Sequence, residues 1–184
     1  MHTEPAEVRK NRAMARRVHV ALLRAVNVGG SGKLPMRELR TMCEEAGFES
    51  VRTYIASGNV VFESDDEPGR VKEILETRLA DYAGNRIDVF VRSAREMRDL
   101  VAANPFPNEP GNKVAVLFLD RRPPTDLDSI VSGREGERFV PAAQEIFVHY
   151  PEGLGRSRLS FGRDLVGTTR NMNTVTKLAE LAAA

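Results

Sequence analysis

Near its start the chain carries a nearly unbroken apolar run at residues 18–26, which stops at the glycines Gly29, Gly30 and Gly32. Successive side chains of a strand point to opposite faces. Val20, Leu22 and Val26 therefore fall on one face of this run, and Ala21, Leu23 and Ala25 on the other. A strand apolar on both faces has to be covered on both. The first sheet of this protein needs a layer above it and a layer below it.

The grammar that follows is regular. Pro35 suits a first helical position, Met36, Leu39, Met42, Cys43 and Ala46 recur at helical spacing, and Gly47 is placed to stop the helix. Two β-rich segments, 51–56 and 60–63, flank the turn residues Ser57, Gly58 and Asn59. Pro68 opens a second helix whose Val71, Ile74, Leu75, Leu79 and Tyr82 share a face, Gly84 closes it, and a strand follows at 87–91. The order βαββαβ with short connections is that of the ferredoxin-like plait. Ser93 and Glu96 form a capping box for a linking helix that runs to Ala103, and the Pro-rich stretch 104–112 reads as a boundary.

Beyond it the pattern resumes with a strand at 113–119, a short helix at 125–132 and a hairpin at 138–140 and 145–150. Helical segments follow near Ser157 and from Arg170 to the end. The expected architecture is α+β, with two ferredoxin-like plait modules packed together and the second degenerate. Residues 1–17 form a basic tail, 18–103 the first module with its linking helix, 104–112 a linker and 113–184 the second module. In this reading the second module covers the open sheet face of the first, and a ligand is expected in the cleft between them.

At 184 residues the chain can bury a core without staples, and its one cysteine, Cys43, permits no intramolecular disulfide. No Cys/His spacing of a zinc site occurs, and the longest uninterrupted apolar stretch, 114–119, is too short to span a bilayer. A cytoplasmic protein with no metal, no cofactor and no membrane partner is expected. The overall charge of +1 hides an uneven distribution. Arg9, Lys10, Arg12, Arg16 and Arg17 against Glu4 and Glu7 give the first 17 residues +3, which leaves −2 for the rest. Such a body is no generic polyanion binder, and the tail reads either as a frayed extension or as a basic arm for nucleic acid.

The loop from Asn27 to Lys33 joins a strand to a helix but fails the P-loop pattern, with Asn27 where the first glycine belongs and Leu34 where Ser or Thr belongs. Gly29 and Gly30 still let backbone N–H groups turn toward an anion, and Lys33 adds charge there. Arg24 interrupts the apolar run and reads either as an internal ion pair or as an anion contact. Ser57 and Asn59 read as turn residues or as part of the same site. Near the C-terminus, Thr169, Arg170, Asn171, Asn173 and Lys177 offer more polar side chains than one helix start needs. On a continuous helix Arg170, Asn173, Thr174 and Lys177 gather on one face, a set suited to phosphate that Arg156 and Arg158 could join. His2, His19 and His149 show no metal or triad spacing, and no nucleophile motif occurs.

Three of these stretches, 20–30, 53–62 and 169–175, together resemble a bacterial family of unknown function, number 1697 in the domain-of-unknown-function series. The resemblance runs from about His19 to Leu181 and implies paired plait-like modules, but no activity and no catalytic residue. Ala25 stands where the family usually has glycine, and Met172 where it usually has tryptophan. Three function classes follow. The leading one binds a phosphate-bearing ligand, a nucleotide or nucleic acid, in the cleft. The others are an interaction or self-assembly module, including a homodimer, and an enzyme of unrecognised type.

Overall fold

In the computed structural model, residues 16–29 and 33–184 are described. The apolar run forms β1 (Arg17–Leu23) inside a four-stranded antiparallel sheet of order β2-β3-β1-β4, with β2 (Glu49–Thr53), β3 (Asn59–Ser64) and β4 (Val89–Ser93). Helices α1 (Met36–Glu45) and α2 (Pro68–Ala83) cover one face: Leu39, Cys43, Val71, Leu75 and Leu79 pack on Ala21, Leu23, Val60 and Phe62. Pro68 sits at the start of α2, and Gly84 ends it in the left-handed conformation at φ 71°, as the sequence predicts.

The second sheet repeats the spatial order as β6-β7-β5-β8, built from β5 (Val114–Leu119), β6 (Arg138–Pro141), β7 (Glu145–His149) and β8 (Gly167–Asn171). Where the first half has α1 and α2, the second half has loops over a smaller cluster that includes Leu127, Ile146, Val148 and Phe161. The helix expected at 125–132 is absent, and that segment forms turns. There the Ser129 N–H and hydroxyl bond the Asp126 carboxylate and carbonyl at 3.3 and 2.9 Å, local bonds that compete with a helical ladder. Near Ser157 only a short 3₁₀ turn forms, at Leu154–Arg156.

Each half closes with a helix that leaves its last strand without a loop. α3 (Ala94–Ala102) follows β4, and α4 (Met172–Ala183) follows β8. Their N-caps are the last strand residues, Ser93 in a full capping box with Glu96 and Asn171 accepting from the Thr174 N–H. The two helices pack on each other between the sheets. There Met97, Leu100, Val175 and Leu178 join Val20, Leu22 and Phe90 of one sheet to Val116, Phe118 and Phe147 of the other. The second face of β1 is thus covered as its alternation demands. Val26 lies instead on the α1/α2 side, because β1 ends at Leu23 and the backbone then turns through positive φ at Ala25 and Asn27.

The predicted helix from Arg170 is also corrected. Thr168 and Thr169 are β-branched and pair with Phe118 and Leu117 of β5, so the helix begins only at Met172. Arg170 therefore shares no helical face with Asn173, Thr174 and Lys177. Of the basic tail, residues 1–15 lie outside the described residues, whereas Arg17 belongs to β1 and pairs with Glu67 at 2.5 Å. No helix among the described residues is long and apolar enough to cross a membrane.

Candidate functional site

Arg170 points from β8 across to the first sheet and is only 7% exposed. Its Nε donates to Asn59 Oδ1 at 2.6 Å, Nη1 to the Thr168 hydroxyl at 2.8 Å and the Thr169 carbonyl at 3.0 Å. Nη2 reaches the carbonyls of Leu23 (2.7 Å), Ser57 (3.0 Å) and Gly58 (3.3 Å). Every acceptor is neutral, and among the described residues no carboxylate lies within ion-pair reach. Burial pushes the guanidinium down to about 10, so at neutral pH it remains a buried cation without a counter-charge.

Arg92, the penultimate residue of β4 and the neighbour of its cap Ser93, occupies the corresponding place in the first half. Its Nε donates to Glu145 Oε1 at 2.6 Å, and Nη2 to the carbonyls of Leu119 (2.7 Å) and Gln144 (3.1 Å). Each half thus sends the arginine before its last cap into the end of the first strand and the hairpin turn of the other half. Leu23 answers to Leu119, Gly58 to Gln144 and Asn59 to Glu145. At the matched hairpin position the difference is one of charge: Arg92 meets a carboxylate and Arg170 an amide.

Above Arg170 the backbone is strained. Three of the four non-glycine residues described at positive φ cluster in this region: Ala25 (55°), Asn27 (57°) and Ile55 (52°). A β-branched residue in this conformation is an outlier. Asn27 holds the shape: its Nδ2 donates to the carbonyls of Leu34 and Ala56, both at 2.8 Å, and its Oδ1 accepts from the Leu34 N–H at 2.7 Å. Asn59 Nδ2 ties the neighbouring turn to the Tyr54 carbonyl and the Ser57 hydroxyl. Gly58 is required there, since at φ 86° a Cβ would stand 2.5 Å from Val26 Cγ2. The locked loops leave Ile55 48% and Val28 55% exposed.

The predicted site residues are only partly brought together. Ser57, Asn59, Thr169 and Arg170 meet at this junction, and Asn27 reaches its edge through the Ala56 carbonyl. Arg24 is exposed at the end of β1, 3.5 Å from Asp88. Gly29 and Lys33 lie on the same loop. Lys33 has no ion-pair partner among the described residues and lines a pocket of about 310 Å³ with Val26, Tyr82 and Asn85; Gly30 lies outside the described residues. Asn171 is spent on capping α4, Asn173 packs against Gly111, and Lys177 pairs with Glu180 at 3.7 Å. Arg156 lies apart, beside Glu135, Glu137 and Glu152. Glu137 there is held below the usual carboxylate range by hydrogen bonds, first of all from the Ser157 hydroxyl. The sequence reading missed Arg92 and Glu145; the shared Arg-cap order of Arg92-Ser93 and Arg170-Asn171 was the available signal. No group of three His, Cys, Asp or Glu among the described residues is arranged to hold a metal.

Fold and junction define a mixed α+β protein of two four-stranded antiparallel sheets and four helices, interlocked by two arginines. The chain belongs to the family described as "Protein of unknown function (DUF1697)", whose sequence model matches residues 16–147. That match includes the first two motifs and ends before Arg170. Among solved structures the chain is similar to the conserved bacterial protein SP0830 from Streptococcus pneumoniae. The TM-score is 0.70 at 23% identity, covering 91% of this chain and 99% of that one, a likeness in fold. No curated protein matches the chain.

Proposed function

We propose that the chain binds a phosphate-bearing ligand, a nucleotide or a nucleic-acid strand, on the face above Arg170. Arg24 and Lys33 meet the phosphate, and Ile55 packs on the apolar part of the ligand. The observation that carries this reading is the uncompensated Arg170 cation: a buried charge with neutral partners projects its field to the nearest surface, where further basic side chains stand. The strained loops support it, because strain at Ala25, Asn27 and Ile55 persists only where the surroundings enforce it, and such sites are typically used for binding. In the same reading the first half, with its βαββαβ order, is a ferredoxin-like plait, the second half is a degenerate copy, and the buried free thiol of Cys43 suits the cytoplasm.

Asn59→Asp tests the proposal: it keeps the oxygen that meets Arg170 and gives up the Nδ2 bonds to the Tyr54 carbonyl and the Ser57 hydroxyl, so unperturbed spectra away from the turn verify the fold. The substitution gives Arg170 the carboxylate that Arg92 already has. Neutralising one charge near a partly shielded phosphate is worth about 1–2 kcal/mol, roughly tenfold in affinity. Titrations of AMP and of a short single-stranded RNA, followed by amide chemical shifts, should perturb Lys33 and Ser57 saturably in the wild type and weaken about tenfold in the variant. Unchanged affinity in Asn59→Asp sinks the reading. It would favour instead a protein-interaction face, which the exposed, strained Ile55 also fits, and a native mass spectrum would then reveal a dimer or partner.

A further inference from the structure

A groove of about 550 Å³ opens between α3 and the β6–β7 turn, on the opposite arginine's side of the molecule and independent of the face above Arg170. Its size is that of a small-molecule site. Leu100, Ala142 and Phe147 supply an apolar lining, and charged groups of both signs border it.

The charges are what single it out. Glu145 also lines the groove, but Arg92 Nε and the Gln144 N–H, at 2.6 and 3.1 Å, already occupy its two oxygens. That part of the wall is electrically balanced. Glu96 and Asp99 stand three residues apart on α3, hence on one helical face. Glu96 commits Oε2 to the Ser93 N–H at 2.7 Å; Asp99 has only the exposed Arg95, at 3.6 Å. Arg122 comes from the segment after β5, and among the described residues no carboxylate lies within ion-pair reach of it, although three border the same groove. Opposite charges are thus held apart along an apolar lining instead of neutralising each other.

We propose that this groove binds a small zwitterion with an apolar body, of the class of an apolar α-amino acid. The ammonium lies at Glu96 and Asp99, the carboxylate at Arg122, and the side chain on Leu100, Ala142 and Phe147. An amine of the same shape would leave Arg122 unanswered, and a simple acid would face the α3 carboxylates; the zwitterion satisfies both.

The test titrates the full chain with L-phenylalanine, phenethylamine and 3-phenylpropionate, followed by amide chemical shifts. L-phenylalanine should give saturable shifts at Leu100, Ala142 and Phe147, with the amine and the acid each about tenfold weaker, the worth of one charge-assisted hydrogen bond. Arg122→Gln should weaken L-phenylalanine about tenfold and leave phenethylamine unchanged; Asp99→Asn should weaken both and spare 3-phenylpropionate. Both altered side chains are exposed, and unperturbed spectra away from the groove verify the fold. The proposal is overturned if L-phenylalanine gives no saturable shift up to roughly 20 mM, far above a Kd of about 1 mM, or if Arg122→Gln binds it unchanged. Either failure leaves the phosphate reading, which rests on another face, untouched.

Discussion

Replacing each junction arginine by methionine should destabilise the protein unequally, and the inequality follows from what each guanidinium leaves behind. When Arg170 is lost, Leu23 O keeps the Thr168 hydroxyl at 3.3 Å and Gly58 O keeps the Leu23 N–H at 2.8 Å. Ser57 is partly exposed, so its carbonyl can take water. The acceptor stranded in the interior is Asn59 Oδ1, on a residue with 0% exposure. One orphaned buried acceptor costs about 1–3 kcal/mol. Methionine refills much of the volume and removes a cation that burial already disfavours, so Arg170→Met should lose about 2 kcal/mol. When Arg92 is lost, the stranded partner is the Glu145 carboxylate, its side chain 8% exposed, and breaking such a pair costs about 3–5 kcal/mol. In melting temperature the two losses are about 4–8 °C and about 6–20 °C. Urea unfolding followed by far-UV circular dichroism, with unchanged m-values, reads both. Equal losses, or Arg170→Met the worse of the two, would refute the assignment of neutral and charged partners.

Further outcomes follow from the same structure. Adding Glu145→Leu to Arg92→Met should recover most of the loss in the same unfolding assay, since an apolar pair replaces a broken ion pair. Gly58→Ala should cost more than about 2 kcal/mol by thermal denaturation, because Val26 and Leu23 occupy the space of the new Cβ and φ is positive. Burial lowers the His19 pKa below its usual 6.5. The unfolded chain therefore takes up a proton that the folded one refuses, and stability is full above about pH 6.5 and falls as the pH drops below it; His19→Phe should flatten stability measured between pH 7 and 5.5. Burial pushes the Cys43 thiol up to about 12, so a disulfide-exchange reagent should react with it only after denaturant is added.

The elements with strong local signals were legible in the sequence. Pro68 and Gly84 bracket α2, Ser93 and Glu96 cap α3, and the two apolar faces of β1 announce a layer on each side. In the second half the first three strands were legible, but its helix slots are filled by loops and its last strand was not. At 125–132 the side-chain bonds of Asp126 and Ser129 divert an apparently helical spacing. Thr168-Thr169-Arg170-Asn171 reads as a helix start from its polar surplus. Only pairing with β5, a contact distant in sequence, makes it a strand. That same pairing decides what Arg170 does: a side chain that a helix would present outward is turned into the interface. Asn27 and Asn59 were recognisable as turn residues, whereas the meeting of Asn59 with Arg170, and of Asn27 with the Ala56 carbonyl beside that turn, is a property of topology that spacing does not encode. Arg92 and Glu145 lie in no glycine-rich or polar stretch, and the one sign was the Arg-cap order that Arg92-Ser93 shares with Arg170-Asn171.

The two arginine contacts have the form expected of a symmetric dimer, held within a single polypeptide. In a true dimer of identical subunits both contacts would have to use the same residues, because the interface is isologous. Two halves of one chain escape that constraint. Here one half carries glutamate and the other asparagine at the matching position. Two sheets of like strand order within one chain thus let one arginine contact be charge-balanced while the other keeps its charge.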